Sequence, residues 1–340
     1  MIKIAIDAMG GDRAPAIEVA GALEAAREYG VMICLVGAEE PIRKELEKQG
    51  SGNLPVTIVP ARDIITMEDG ISALRRKKDS SMHVATRLVR DGQADAVVSA
   101  GNTGACMAVS KLVLGALSLV DRPAIAAVMP TARGRPVIMV DVGANVDCKP
   151  NHLVQFAIMG EIFSRQALAI PAPKVGLLSI GEEETKGNDL TKEVLSLLKN
   201  APFQFVGNVE GRDIFKGEID VVVCDGFTGN VALKMSEGLT DMVAQLLKQD
   251  LNRDWNSRLG AWMARKAFQS FKRRIDYSEY GGAPLLGIKG VSIVCHGSSP
   301  PKAIKNAIRV ARDCCQYRVN EKIEEEIKAF SHLLAQAPSQ

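Results

Sequence analysis

Six times in this chain a short apolar run ends in a turn of Gly, Asn, Asp and Ser, and a helix-forming stretch follows. The turns are Asp7 to Asp12, Ser99 to Ala105, Asp141 to Asp147, Ser179 to Asp189, Cys224 to Asn230 and Cys295 to Pro300. Strand periodicity places strands near residues 2–6, 31–36, 56–59, 96–98, 125–129, 137–140, 175–180, 203–206, 221–224 and 291–294. Helical patterns lie between most of them, as at 16–29, 82–90, 153–168, 190–199 and 231–251. Pro300 and Pro301 open a last helix expected to run to about residue 330. Such alternation predicts an α/β fold, a mainly parallel sheet covered by helices on both faces. The C-terminal ends of parallel strands share one sheet edge, so the six turns are expected to converge on one crevice. Small residues there let backbone N–H groups approach a ligand, and helix N-termini add positive potential. The expected occupant is an anion such as phosphate or an acyl phosphate. A single Gly-rich turn is ordinary architecture, but six of them, several with Asn or Asp, favour a site.

A chain of 340 residues with 46% hydrophobic content can bury a large core. It shows no internal repeat, no low-complexity linker and no clear boundary, so residues 1–330 read as a single domain with a frayed tail at 331–340. The N-terminal segment is too short and polar for a secretory signal, and no apolar run is long enough to span a bilayer. A soluble, cytoplasmic protein is expected. Seven scattered cysteines without C-x-x-C spacing read as reduced thiols, and no metal-ligand set is legible. Cys106 follows a Gly turn but suits a small buried position better than a nucleophile. Cys295 and His296 are strand neighbours that point to opposite faces. The net charge of +2 hides a balance of −5 up to residue 250 and +7 beyond it. Aromatic residues are only 4% and no binding motif is present, which argues against nucleic acid as the partner of the basic third.

The strings Asp7 to Asp12 followed by Pro15, Arg75 to Met82 (RRKKDSSM), Ser99 to Ala105, Asp121 to Ala124, Asp141 to Asp147, Lys186 to Asp189, Asp225 to Asn230, Tyr280 to Gly287 and His296 to Ser299 resemble the phosphate acyltransferase family. The likeness runs in order from Ile4 to about Arg312. It implies a Rossmann-like α/β/α sandwich akin to phosphate acetyltransferases and isopropylmalate dehydrogenase-like folds. It also implies transfer of an acyl group from acyl carrier protein to inorganic phosphate, yielding acyl phosphate for a membrane glycerol-phosphate acyltransferase in bacterial phospholipid synthesis. The family works as a homodimer, and no cofactor is expected.

That chemistry needs no acyl-enzyme, because phosphate is itself a nucleophile and a thiolate leaves readily. Positioning and charge stabilisation suffice. Lys186 is the first candidate for holding phosphate or stabilising the developing oxyanion, with Asn230 as a second catalytic donor. Gly10, Gly11, Gly101, Asn102, Thr103, Gly104, Asn145, Asn188, Gly226, Gly229, His296 and Ser298 are the candidate phosphate and substrate contacts. Asp7, Asp141 and Asp225 would repel phosphate, so they are placed behind these residues, capping helices or holding loops. Lys186 as a solvated loop residue, the asparagines as turn formers and His296 as a structural donor are the simpler alternatives.

Between Trp255 and Ile275 apolar Trp255, Leu259, Trp262, Met263 and Phe271 recur near helical spacing among cations that include Arg265 and Lys266. A segment at about 240–276 is therefore expected to project as amphipathic helices that contact anionic lipid or the acidic carrier, placing the protein peripherally at the inner face of the cell membrane. Burial of the stripe in the core or a dimer interface is the alternative. Two other functions are open to the residues alone. One is a nicotinamide-dependent decarboxylating dehydrogenase whose Glu39 and Glu40 contact a ribose, weakened by the lack of G-x-G-x-x-G after a strand. The other is a non-catalytic carrier-protein or membrane scaffold.

Overall fold

The computed structural model describes residues 1–336, so 337–340 of the expected tail lie outside the described residues. The strands are β1 (Lys3–Asp7), β2 (Met32–Gly37), β3 (Val56–Pro60), β4 (Ala96–Ser99), β5 (Ala124–Met129), β6 (Val137–Val140), β7 (Val175–Leu178), β8 (Phe205–Val209), β9 (Val221–Val223), β10 (Ala283–Leu286) and β11 (Val291–Val294). The helices are α1 (Ala16–Tyr29), α2 (Glu39–Gln49), α3 (Ile71–Arg76), α4 (Ser81–Arg90), α5 (Thr103–Leu114), α6 (Pro150–Ala167), α7 (Asp189–Leu198), α8 (Gly226–Asn252), α9 (Trp255–Met263), α10 (Arg265–Ile275), α11 (Pro301–Gln316) and α12 (Val319–Gln336). All the strands belong to one sheet, in the order β3-β2-β1-β4-β11-β10-β5-β6-β9-β7-β8.

The middle strands β4, β6 and β9 are wholly buried, which is why they read as continuous apolar runs rather than alternating ones. Helix α6 is almost as deeply buried, with Phe156 and Phe163 fully enclosed. Each of those rings contributes about 1.5–3 kcal/mol of burial. The expected long C-terminal helix is in fact two, because Arg318 adopts a left-handed φ of 53° between α11 and α12. A right-handed helix cannot run through that conformation.

The sheet is mainly parallel, but one expectation fails. Strand β10 is antiparallel to both β11 and β5, and β5 is antiparallel to β6. The strands β6, β7, β8 and β9 therefore run opposite to β1, β2, β3, β4 and β11. The six turns do not share one edge; three follow strands of each direction. The reversal lies at the antiparallel β5–β6 pair, because β5 still runs with β11; between those two sits β10, whose sequence carries Pro284 inside and Gly281 and Gly282 before it, composition that hides a strand.

Candidate active site

The turns after β1, β4 and β11 form the first constellation. Asp7, buried at the end of β1, accepts from Ser99 Oγ at 2.7 Å and from the Met9 N–H at 3.3 Å. Gly10 lies so close to the next turn that a Cβ there would stand 2.8 Å from Gly101 N and 2.6 Å from Asp7 Oδ2. The β11 turn joins through the Asp12 N–H, which donates to Gly297 O at 3.0 Å. Asn102 caps α5 by accepting from the Ala105 N–H at 3.0 Å, and its amide donates to Met67 O at 2.9 Å. Its side chain is thus engaged at both ends, while Thr103 and Gly104 form the open first turn of α5. The exposed His296 accepts at Nδ1 from the Ser298 N–H at 3.3 Å, with Ser298 Oγ 2.8 Å away.

The turns after β6 and β9 form the second constellation, built on Asp141. Its Oδ1 accepts from the N–H groups of Ile125 (3.0 Å), Ala144 (3.0 Å) and Gly143 (3.3 Å), and its Oδ2 from Asn145 N (2.7 Å) and Nδ2 (3.0 Å). Asn145 Nδ2 also donates to Pro123 O at 2.8 Å, so that side chain ties the turn together. The Gly226 N–H donates to Asn145 O at 2.8 Å, and a Cβ at Gly226 would meet both that oxygen and Asp141 Oδ2 at 2.7 Å. Asp225 caps α8 through the Thr228 N–H at 2.8 Å. Gly229 packs against Asp141 O, and the exposed Asn230 side chain stands beside Gly143. The β7 turn holds the exposed Lys186, and Asn188 caps α7 by accepting from the Thr191 N–H at 2.9 Å.

Helix α5 links the two constellations. It starts in the first, and its Leu114 and Met107 join the apolar cluster that holds Val142, Ala144, Cys224 and Leu233 of the second.

Burial raises the Asp7 carboxyl above the usual carboxylate range, opposed by its bonds to Ser81, Ser99 and Met9. The same cause raises Asp141 in spite of its N–H donors. Sequence reasoning missed Glu18. It is 2% exposed at the start of α1, beside Gly11, and its Oε2 has no hydrogen-bond partner. Burial, with Asp7 nearby, lifts its carboxyl to about 7. The only signal available in the sequence was its place in the first helical turn, where an acidic residue is unremarkable.

A raised carboxyl is protonated more readily in the folded chain than in the unfolded one, so this group's contribution is fully present below the ordinary value near 4.5 and is lost as pH rises to about 7. The parent should lose about 3 kcal/mol from this group across that window, and Glu18→Gln should abolish the loss. Chemical denaturation at pH 5 and pH 8 measures it; equal pH dependence in both proteins would refute the assignment.

The three cysteines beside these turns are buried: burial pushes Cys106 up to about 12 and raises Cys295 and Cys224 as well. Glu39 and Glu40 lie in the first turn of α2, paired with Arg43 and Lys44, and do not form a free acidic end to a strand.

The family model described as "Fatty acid synthesis protein" matches residues 2–322. Among solved structures, a phosphotransacetylase from Streptococcus pyogenes superposes with a TM-score of 0.63 at 16% identity, covering 93% of this chain and 94% of that one. A branched-chain phosphotransacylase from Enterococcus faecalis gives 0.55 at 15% identity, covering 93% of this chain and 100% of that one. The fold is that of the phosphotransacetylases. Among curated relatives, the phosphate acyltransferase of Geobacter sulfurreducens is 53% identical over 328 residues, 96% of this chain and 94% of that one. That of Pelotomaculum thermopropionicum is 53% identical over 330 residues, covering 97% and 96%. This is therefore an acyltransferase of fatty acid and phospholipid synthesis. The chain belongs to the phosphate acyltransferase family.

Proposed function

We propose that the enzyme transfers the acyl group of an acyl carrier protein thioester to inorganic phosphate by direct attack. The observation that carries this reading is a pair of Gly-rich, helix-opening constellations joined by α5, with Cys106, Cys224 and Cys295 buried beneath them. Sheet twist of roughly 20–25° per strand amounts to about 80–100° over the four steps from β4 to β6. On this reading that twist brings the oppositely directed strand ends to one cleft. Lys186 and Asn230 serve phosphate and the developing oxyanion from one side. The first turn of α5, Gly10, Gly11, His296 and Ser298 serve the thioester from the other.

Incubation with acyl carrier protein thioester and phosphate, with hydroxylamine as trap, should give acyl hydroxamate only when phosphate is present. Cys106→Ser and Cys295→Ser should each keep most of the activity, with only modest packing losses. An acyl adduct in the intact mass, formed without phosphate and chased away by it, would overturn direct attack.

We further propose that the chain acts as a homodimer at an anionic membrane surface, handing acyl phosphate to a membrane glycerol-phosphate acyltransferase. Among the described residues no helix is long and apolar enough to cross a membrane. No residue described from 231 to 276 is buried. On α8 the exposed Val231, Met235, Leu239, Met242, Val243 and Leu246 form an apolar ridge suited to a second copy. Trp255, Leu259, Trp262 and Met263 are exposed on α9, and Phe271 on α10, where Lys272, Arg273 and Arg274 close the helix. The stripe read as one helix is two, divided at Ala264, with Arg265 stacked 5.4 Å from the Trp262 ring. Replacing Trp262 and Met263 together by Glu should weaken binding to anionic vesicles by about tenfold with turnover retained. Parent-like vesicle binding by the folded double variant would reject the lipid contact.

A further inference from the structure

The cationic half of the RRKKDSSM string has no part in either constellation, whereas its Ser81 bonds Asp7. The string ends α3, makes the turn that follows and opens α4. Ala73 and Leu74 are buried, and Leu74 packs with Ile65, Met82, Cys106 and Val109 beneath the first constellation. The outer side of the same short helix presents Arg75 and Arg76, and Lys78 follows just past its end, all exposed.

Two of the nearby carboxylates are engaged, whereas the exposed Asp63 and Glu68 of the preceding loop make no ion pair among the described residues. Lys77 binds Asp69 at 2.5 Å, and Arg87 binds Asp79 at 3.0 Å and Lys78 O at 2.8 Å. Among the described residues Arg75, Arg76 and Lys78 have no carboxylate within ion-pair distance, although their segment is braced on both sides. Cations near a helix C-terminus favour the dipole, which accounts for Arg75 and Arg76 but not for Lys78 beyond the helix end. The loop before α3 adds exposed Ile64 and Met67 to the patch. That loop is tied to the site by the Asn102 amide on Met67 O at 2.9 Å, and Met67 Cε lies against Gly297.

A rigid basic patch with an apolar margin, bonded directly to the rim of the site, suits an acidic protein that must deliver a tethered group into that site. We infer that Arg75, Arg76 and Lys78, flanked by Ile64 and Met67, form the docking surface for the acidic carrier protein. The inference rests on the proposed acyl-carrier reaction and assigns its partner to α3 rather than to the basic α10.

The test compares steady-state kinetics of the parent, of Arg75→Glu/Arg76→Glu/Lys78→Glu, and of Lys272→Glu/Arg273→Glu/Arg274→Glu, with acylated carrier protein and phosphate as substrates. The α3 variant should raise KM for the carrier about tenfold or more, with kcat and the KM for phosphate within about twofold. The rise of KM with ionic strength seen in the parent should flatten. The α10 variant should keep the parent's carrier KM. An Arg75→Ala/Arg76→Ala/Lys78→Ala variant, expected to raise that KM by roughly threefold or more, decides the matter if the charge reversals do not fold. Parent-like carrier KM in the α3 variants, or a larger effect from α10, would overturn the docking surface alone. Absence of phosphate-dependent thiol release by the parent would overturn the reaction and the docking surface with it.

Discussion

Lys186→Ala is expected to lower kcat at least about a hundredfold, the scale set by loss of one preorganised group that stabilises developing charge. Two of the three glutamates in the turn around it are held by other cations, and Glu183 is not. Of its acidic neighbours, Glu184 binds Lys199 at 2.7 Å and Glu182 approaches Arg212 at 3.5 Å, whereas Lys186 has no ion-pair partner among the described residues. Its N–H donates to Glu183 O at 3.0 Å, which shapes the turn, and Gly181 lies against its stem. The side chain is exposed and caps nothing, so its removal should move the melting temperature by no more than about 1 °C. Lys186→Arg should recover only part of the rate, because a planar fork does not reproduce a compact point charge. Near-parental turnover by Lys186→Ala at saturating phosphate would make it an ordinary loop residue.

Asp141→Ala should act in the opposite manner, through folding before chemistry. Removing the carboxyl strands the N–H groups of Ile125, Gly143, Ala144 and Asn145 around a site that is 0% exposed. Unpaired buried donors are costly, and a loss of about 3–5 kcal/mol is expected. That corresponds to a melting temperature lower by roughly 5–8 °C in a chain of this size. Asp141→Asn should fall between: its oxygen can face the three donors at the Oδ1 position, but its amide then opposes the Asn145 N–H. Because Gly226 and Gly229 both pack on this group, the mouth of α8 should loosen and turnover should drop more than stability in the Asn variant. Equal melting temperatures for parent and Asp141→Ala, measured by calorimetry, would contradict the account.

Local signals in the sequence were enough for the alternation of strand, turn and helix, and for the family. Buried strands such as β6 and β9 announce themselves as apolar runs, and each of the six turns does lead from a strand to a helix. Asp225 was legible as a cap, because capping involves only the residue and an N–H three positions on, whereas Asn102 and Asn188, read as substrate contacts, turn out to cap helices in the same way. The tertiary structure decided everything that depends on who lies beside whom. The antiparallel β5–β6 pair reverses the direction of β6, β7, β8 and β9, and the proline-containing β10 beside it is held by β11 and by pairing with β5 across more than a hundred residues. That reversal divides the turns into two constellations and leaves α5 to join them. Glu18 becomes an unusual carboxyl only because the β1 turn folds back over it, and around Lys186 it is Arg212 and Lys199 that engage two of the three neighbouring glutamates. Periodicity and capping are local properties of the chain; the order of strands in the sheet, burial of a charge and the surroundings of an ammonium follow from packing between distant segments, which no local pattern encodes.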